Sequence, residues 1–245
     1  MSDDDRARPR FLNSGEAALV IEFGQAIDPL VHDRVLALDE ALNAAKIGGV
    51  VETVPTFRSL MIHYDPLQID RESLIAAISG LGTGPSAGPR SHASWTIPCC
   101  YEDGLGEDLS EIARLAGLSE QRVAALHSGA TFRVYMYGFA PGFCYLGGTP
   151  DELAVSRRAT PRPPTRPNVV LVAGGLSLIS TVSMPTGWWI IGTTAERLFA
   201  PSRDPVFLVS VGDAIRFEPI DRATFDLLER RAAAGETVAR RSERE

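Results

Sequence analysis

A chain of 245 residues has the length for one or two packed cores, and two is the stronger expectation because domains commonly run about 100 to 200 residues. Hydrophobic residues make up 44% and charged residues 22%, a globular balance that excludes a disordered or fibrous chain. The formal charge of -7 argues against a nucleic-acid partner, which needs clustered Lys and Arg, and leaves small molecules and proteins.

The opening MSDDDRARPR sets acids before arginines with no apolar core, so neither a signal peptide nor a membrane anchor is expected. No apolar run approaches about 18 residues. Cys99, Cys100 and Cys144 form neither a disulfide framework nor a CxxC spacing, which suits reduced thiols and a cytoplasmic, non-membrane protein.

Ala17 to Glu22 predicts a buried strand after the turn residues Asn13-Ser14-Gly15. Asp28-Pro29 then opens a helix with Val31, Val35, Leu38 and Leu42 at helical spacing, closing near Lys46 before Gly48-Gly49. Val50 to Val54 and Ser59 to Tyr64 predict two antiparallel strands, and Arg71 to Leu81 a second amphipathic helix. The βαββα order matches the start of a ferredoxin-like α+β sandwich. The segment 80–94, with four glycines and two prolines, is the candidate linker. The expected domains are 1–84, a linker at 85–94, a second domain at 95–221, and a C-terminal helix with a frayed tail at 222–245.

Beyond the linker WTIPCCY reads as a strand, and Asp108 to Glu111 has the spacing of a capping box. A further helix capped by Ser119 runs to His127 and Gly129. The pattern then turns to β at Thr131–Tyr137, Val169–Ala173, Leu178–Val182, Trp188–Ile191, Val206–Val209 and Ala214–Phe217, as in a closed or nearly closed barrel. Arg222 to Arg231 predicts a last helix, and the charged end from about Ala232 is expected to fray.

The segment Tyr137–Gly148 packs four glycines and four aromatics into twelve positions. Phe139, Pro141, Gly142, Phe143, Tyr145, Gly147 and Gly148 are candidates to wall a ligand, or else pack on the barrel. Gly174, Gly175, Ser177, Ser180 and Thr181 form a second such stretch, and Pro185, Gly187 and Trp188 a third; their hydroxyls can meet a carboxylate or amide, or satisfy backbone groups. Ser156 to Asn168 carries four arginines and four prolines, an anion-reading arm or a solvated loop. His127, at a helix C-terminus where the dipole favours the imidazolium, is a candidate acid or base. Cys144 lacks a partner for nucleophilic chemistry, the histidines lack metal-ligand spacing, and no phosphate-binding glycine motif is present.

Together these stretches resemble the carboxyltransferase-domain C/D-like family that includes the B subunit of 5-oxoprolinase, the sporulation-kinase inhibitor KipI and allophanate hydrolase subunit 1. The matching residues include Val54-Pro55, Arg58-Ser59-Leu60, Tyr64-Asp65-Pro66, Leu126-His127, Gly138 to Phe143, Tyr145 to Gly148, Ala159 to Arg162, Ala173 to Gly175 and Gly187-Trp188. The resemblance implies a cyclophilin-like β-barrel after the α+β domain, and a sister subunit like the C subunit of 5-oxoprolinase or allophanate hydrolase subunit 2. It implies an assembly that uses ATP to open 5-oxoproline, a small amide-like metabolite, to glutamate. This chain alone would bind no cofactor, would be inactive alone, and would lend His127, Arg162 and the glycine-aromatic loops to the site. The same family also implies two alternatives: carboxyl transfer from carboxybiotin on a partner, or KipI-like restraint of a histidine kinase. The chain departs from the family pattern at Cys144, at Leu176, Leu178, Ser180 and Thr181, and at Gly192 to Ala195, which puts the ligand in question.

Overall fold

The computed structural model describes residues 9–81, 92–102 and 104–243, and the chain divides into two compact units at Arg90/Ser91. The expected linker at 85–94 lies, up to residue 91, outside the described residues, as does most of the opening MSDDDRARPR. Among the described residues no helix is long and apolar enough to cross a membrane.

The N-terminal unit is a four-stranded antiparallel sheet with two helices. Its strands are β1 (Arg10–Asn13), β2 (Ala18–Glu22), β3 (Val50–Pro55) and β4 (Ser59–Tyr64), in the order β1-β2-β4-β3. Helix α1 (Pro29–Ala45) starts where the Asp28 carboxylate accepts from Leu30 N at 2.7 Å, and it ends at Lys46 in the left-handed region. Helix α2 (Arg71–Gly80) is capped in the same way by Asp70, which accepts from Ser73 N. The alternating burial of β4 turns Leu60, Ile62 and Tyr64 toward Leu19, Ile21, Val35, Leu38, Leu74 and Ile78. The βαββα order is present from β2 onward. The remaining edge is filled by β1, ahead of the first expected strand, so the βαββαβ order of a ferredoxin-like sandwich is not completed in this unit.

The C-terminal unit is a closed seven-stranded barrel with three helices. Its strands are β5 (Ala93–Cys100), β6 (Phe132–Tyr137), β7 (Cys144–Gly147), β8 (Val169–Ala173), β9 (Leu176–Ser180), β10 (Trp189–Thr194) and β11 (Ala214–Pro219). They follow the order β10-β8-β9-β7-β6-β11-β5, and Thr193 and Thr194 of β10 pair back to Cys100 and Cys99 of β5 to close it. The interior is filled by Ile97, Phe132, Val134, Leu146, Val170, Ile179 and Phe217, with Ile112 and Val123 joining it from α3 (Leu109–Ala116) and α4 (Glu120–Gly129). All five residues of β8 are buried, because a second apolar cluster around Phe143, Leu178 and Trp188 covers its other face.

Three expectations are corrected. Val206–Val209 forms no strand; Phe207 makes a single bridge to Phe199. Asp108 makes no side-chain cap for α3, because its carboxylate is engaged elsewhere. As far as Glu243 the C-terminal segment has regular structure where fraying was expected: α5 (Arg222–Ala233) is followed by β12 (Arg240–Glu243), which pairs with β5. The tail is fixed by the fully buried Glu196, whose Oε2 accepts from Val238 N and Ala239 N, both at 2.7 Å. Charge composition suggested solvation, but a backbone ladder and a buried carboxylate give those residues partners.

Candidate functional site

The glycine-aromatic segment is half strand and half loop: Cys144–Gly147 is β7, and Gly138–Phe143 forms a tight excursion ahead of it. Phe143 N donates to Ala140 O and Gly138 N to Phe143 O, which holds Phe139 at φ 71, a left-handed conformation strained for a bulky side chain. Phe139 is consequently presented to solvent at 80% exposure. From it a row of rings runs over the outside of the barrel: Phe139 to Phe143 at 5.4 Å, Phe143 to Tyr145 at 5.4 Å, and Tyr145 to Trp188 at 6.3 Å. The Arg157 guanidinium lies 5.5 Å from the Trp188 ring centre.

Gly142 at φ 72 is the hinge of this arrangement. A Cβ there would stand 2.4 Å from Phe199 Cβ and 3.1 Å from Thr181 Cγ2, while Thr181 Oγ1 donates to Pro141 O at 2.6 Å. Gly142→Ala is expected to destabilise the fold by about 2–4 kcal/mol, combining left-handed strain with overpacking. Denaturant melts would check this; a loss below about 0.5 kcal/mol would mean the loop rearranges freely.

The other expected residues divide. Gly174 and Gly175, at φ 57 and 78, make the two-residue turn of the β8–β9 hairpin, which requires positive φ at both positions. Gly147 and Gly148 admit Tyr135 and Thr131 O, which would lie 2.4 and 2.6 Å from an added Cβ. Ser180 Oγ donates to Val182 O. Pro185 and Gly187 flank Thr186, which bridges to Arg162. These positions therefore shape the support beneath the ring row.

His127 is fully buried and its ring packs against Phe132 and Phe217 at 4.8 and 4.7 Å. Ser177 Oγ donates to Leu171 O at 3.0 Å, so it accepts from His127 Nε2 at 3.3 Å, and Nδ1 then accepts from the Tyr101 hydroxyl at 2.9 Å. Burial lowers the imidazole to about 3 from 6.5. The expected imidazolium is corrected: desolvation outweighs the helix dipole, and the neutral ring is enclosed by hydrogen-bond partners. Burial also raises the Cys144 thiol, which favours its protonated form.

The arginine arm is mostly neutralised within the chain. Asp108, 4% exposed, accepts through Oδ1 from Arg158 at 3.0 Å and Arg162 at 2.8 Å, and through Oδ2 from Ile190 N at 2.8 Å. Arg162 also pairs with Glu107, and Arg166 with Glu229. Arg162, expected to read a ligand, is thus occupied. Arg157 is exposed and has no carboxylate partner among the described residues, so it is the arginine that chain composition alone failed to single out. A cavity of about 540 Å³ lies elsewhere on this unit, lined by Tyr101, Glu102, Leu109, Glu120 and Asp221, none of them an expected site residue. Among the described residues no three His, Cys, Asp or Glu side chains gather to hold a metal ion.

The family of the carboxyltransferase domain, subdomains C and D, matches residues 9–209. The chain belongs to this family. The carboxyltransferase-domain chain is 30% identical over 225 residues to the B subunit of 5-oxoprolinase from Bacillus subtilis, covering 86% of this chain and 92% of the relative. It superposes on the crystal structure of TTHA0988 with a TM-score of 0.75 at 34% identity, covering 83% of this chain. It spans only 40% of that longer protein. The urea carboxylase of Kluyveromyces lactis shares the fold, with a TM-score of 0.76 at 16% identity over 96% of this chain, which is 24% of that protein. The resemblance drawn from the glycine-aromatic motifs is borne out.

Proposed function

We propose that this chain is one subunit of a 5-oxoprolinase-type hydrolase. It opens 5-oxoproline to glutamate together with a sister subunit, of the kind that forms the C subunit of 5-oxoprolinase, at the expense of ATP. The observation that carries this is the likeness to the B subunit of 5-oxoprolinase along nearly the full length of both chains. The geometry supports a shared site: the exposed Phe139, the half-buried Tyr145 and the exposed Arg157 edge a patch underlain by the buried rings of Phe143 and Trp188, yet the expected acid-base residue is sealed inside the barrel. In this proposal the row Phe139–Trp188 faces the ligand, while His127 and Ser177 hold β9 and α4 in register beneath it.

The sequence carries no phosphate-binding glycine motif, and the paired glycines Gly174-Gly175 serve a hairpin tip. In this proposal ATP is bound by the assembled complex. The same complex, purified and given 5-oxoproline and ATP, is expected to release glutamate; absence of turnover with all partners present would overturn the proposal. The family description favours one second reading, carboxyl transfer from a biotinylated partner. Avidin separates the two, as it blocks carboxyl transfer and leaves ring opening untouched.

A further inference from the structure

We infer that Arg157 reads the carboxylate of the ligand, and so selects a small cyclic amide that bears a carboxylate over one that does not. This rests on the ring-opening proposal for the choice of ligand and on the geometry of the arginine arm for the residue.

The arm carries four arginines, and three are satisfied inside the chain by Asp108, Glu107 and Glu229. Arg157 differs in having no ion pair among the described residues while being fixed in place on both sides. Trp189 Nε1 donates to Ser156 O at 2.6 Å, and Arg158 N donates to Gly187 O at 2.8 Å. An exposed arginine held this way loses less freedom on binding than one on a loose loop. Its guanidinium lies over Trp188, and its charge acts on the Tyr145 phenol, opposing the rise that burial causes there. A guanidinium stacked on a ring uses its face and keeps its in-plane N–H donors, which match a carboxylate two by two. Beside it the half-buried Tyr145, backed by the buried rings of Phe143 and Trp188, offers an apolar surface to the remainder of a small ring. A single free guanidinium suits one carboxylate better than a phosphate ester, which gathers several donors.

The test compares 5-oxoproline with 2-pyrrolidinone, the same lactam without its carboxylate, on the complex with the sister subunit. Arg157→Gln is expected to raise the Kd and KM for 5-oxoproline about 10- to 100-fold while leaving the Kd of 2-pyrrolidinone unchanged. Arg157→Lys should fall between, since a point charge cannot make the paired contact. Two results would overturn the inference: a Kd for 5-oxoproline within twofold of wild type in Arg157→Gln, or equal weakening of both lactams, which marks a purely structural cation–ring contact. Should the wild-type complex bind 5-oxoproline through Arg157 yet release no glutamate, the ring-opening proposal falls and the assignment of Arg157 stands. Turnover that persists unchanged in Arg157→Gln removes the assignment alone, and no binding of 5-oxoproline to wild type removes both.

Discussion

Asp108→Ala is expected to destabilise the C-terminal unit by about 3–5 kcal/mol, because it leaves two partly buried guanidinium groups and a backbone N–H without their acceptor. The side chains concerned are 25% and 16% exposed, too enclosed for water to replace the lost carboxylate fully. A unit of this size should then melt roughly 6–20 °C lower. Asp108→Asn keeps an acceptor for Ile190 N and should recover part of the loss. The functional consequence is separable. With Asp108 gone, Arg158 loses its carboxylate and Arg162 keeps only Glu107, so the arm is held by its remaining backbone bonds, Arg157 is placed less firmly, and KM for 5-oxoproline should rise in the complex even at temperatures where the variant remains folded. Thermal melts and steady-state kinetics on the same samples check both parts; an alanine variant that melts with wild type would show that the arm is held elsewhere.

Acid should weaken the barrel through His127. The sign follows from the depressed folded value: above pH 6.5 both folded and unfolded chains carry a neutral ring, whereas between 6.5 and about 3 only the unfolded chain takes up the proton. Stability present at neutral pH is therefore lost as pH falls through that window, by on the order of 4–5 kcal/mol in total and about 3 kcal/mol of it by pH 4. His127→Gln removes the titrating ring while leaving a group able to reach Tyr101 or Ser177. It should be less stable than wild type at pH 7 by about 2–4 kcal/mol and should lack this part of the acid slope. Denaturant melts at pH 7, 5.5 and 4 provide the comparison. Parallel slopes for the two proteins would place the acid sensitivity in carboxylates instead of His127.

Much of the fold was legible wherever a run of residues carries its own pattern. Val169–Ala173 is apolar on both faces and is β8 to the residue, and Asp28-Pro29 and Ser119 cap helices where their spacing predicts. Elements defined by pairing were not legible. Strand β7 lies in a glycine-rich stretch, β1 has only isolated apolar residues, and β12 reads as charge; each is made by the strand beside it. The candidate site behaved in the same way. Glycine and aromatic content located the ring row, but Gly174 and Gly175 serve a hairpin. Which arginine remains available was decided by Asp108, 50 residues or more away along the chain. His127 was read from its helix end, and the rings that desolvate it come from β6 and β11.

Strand β5 leads the C-terminal unit, yet its partners are β10, β11 and β12, the last of which follows it by more than a hundred residues. The N-terminal unit has all its strands within its own first stretch of chain. During synthesis at about 5–20 residues per second, that earlier unit is complete while β5, with Trp95, Ile97 and Cys99, still waits on the order of ten seconds for β11 to emerge. The β5–β11 pairing is thus the last of the barrel's ladders whose strands are both available, and the wait for β11 is the interval in which a nascent chain most needs protection from other strands.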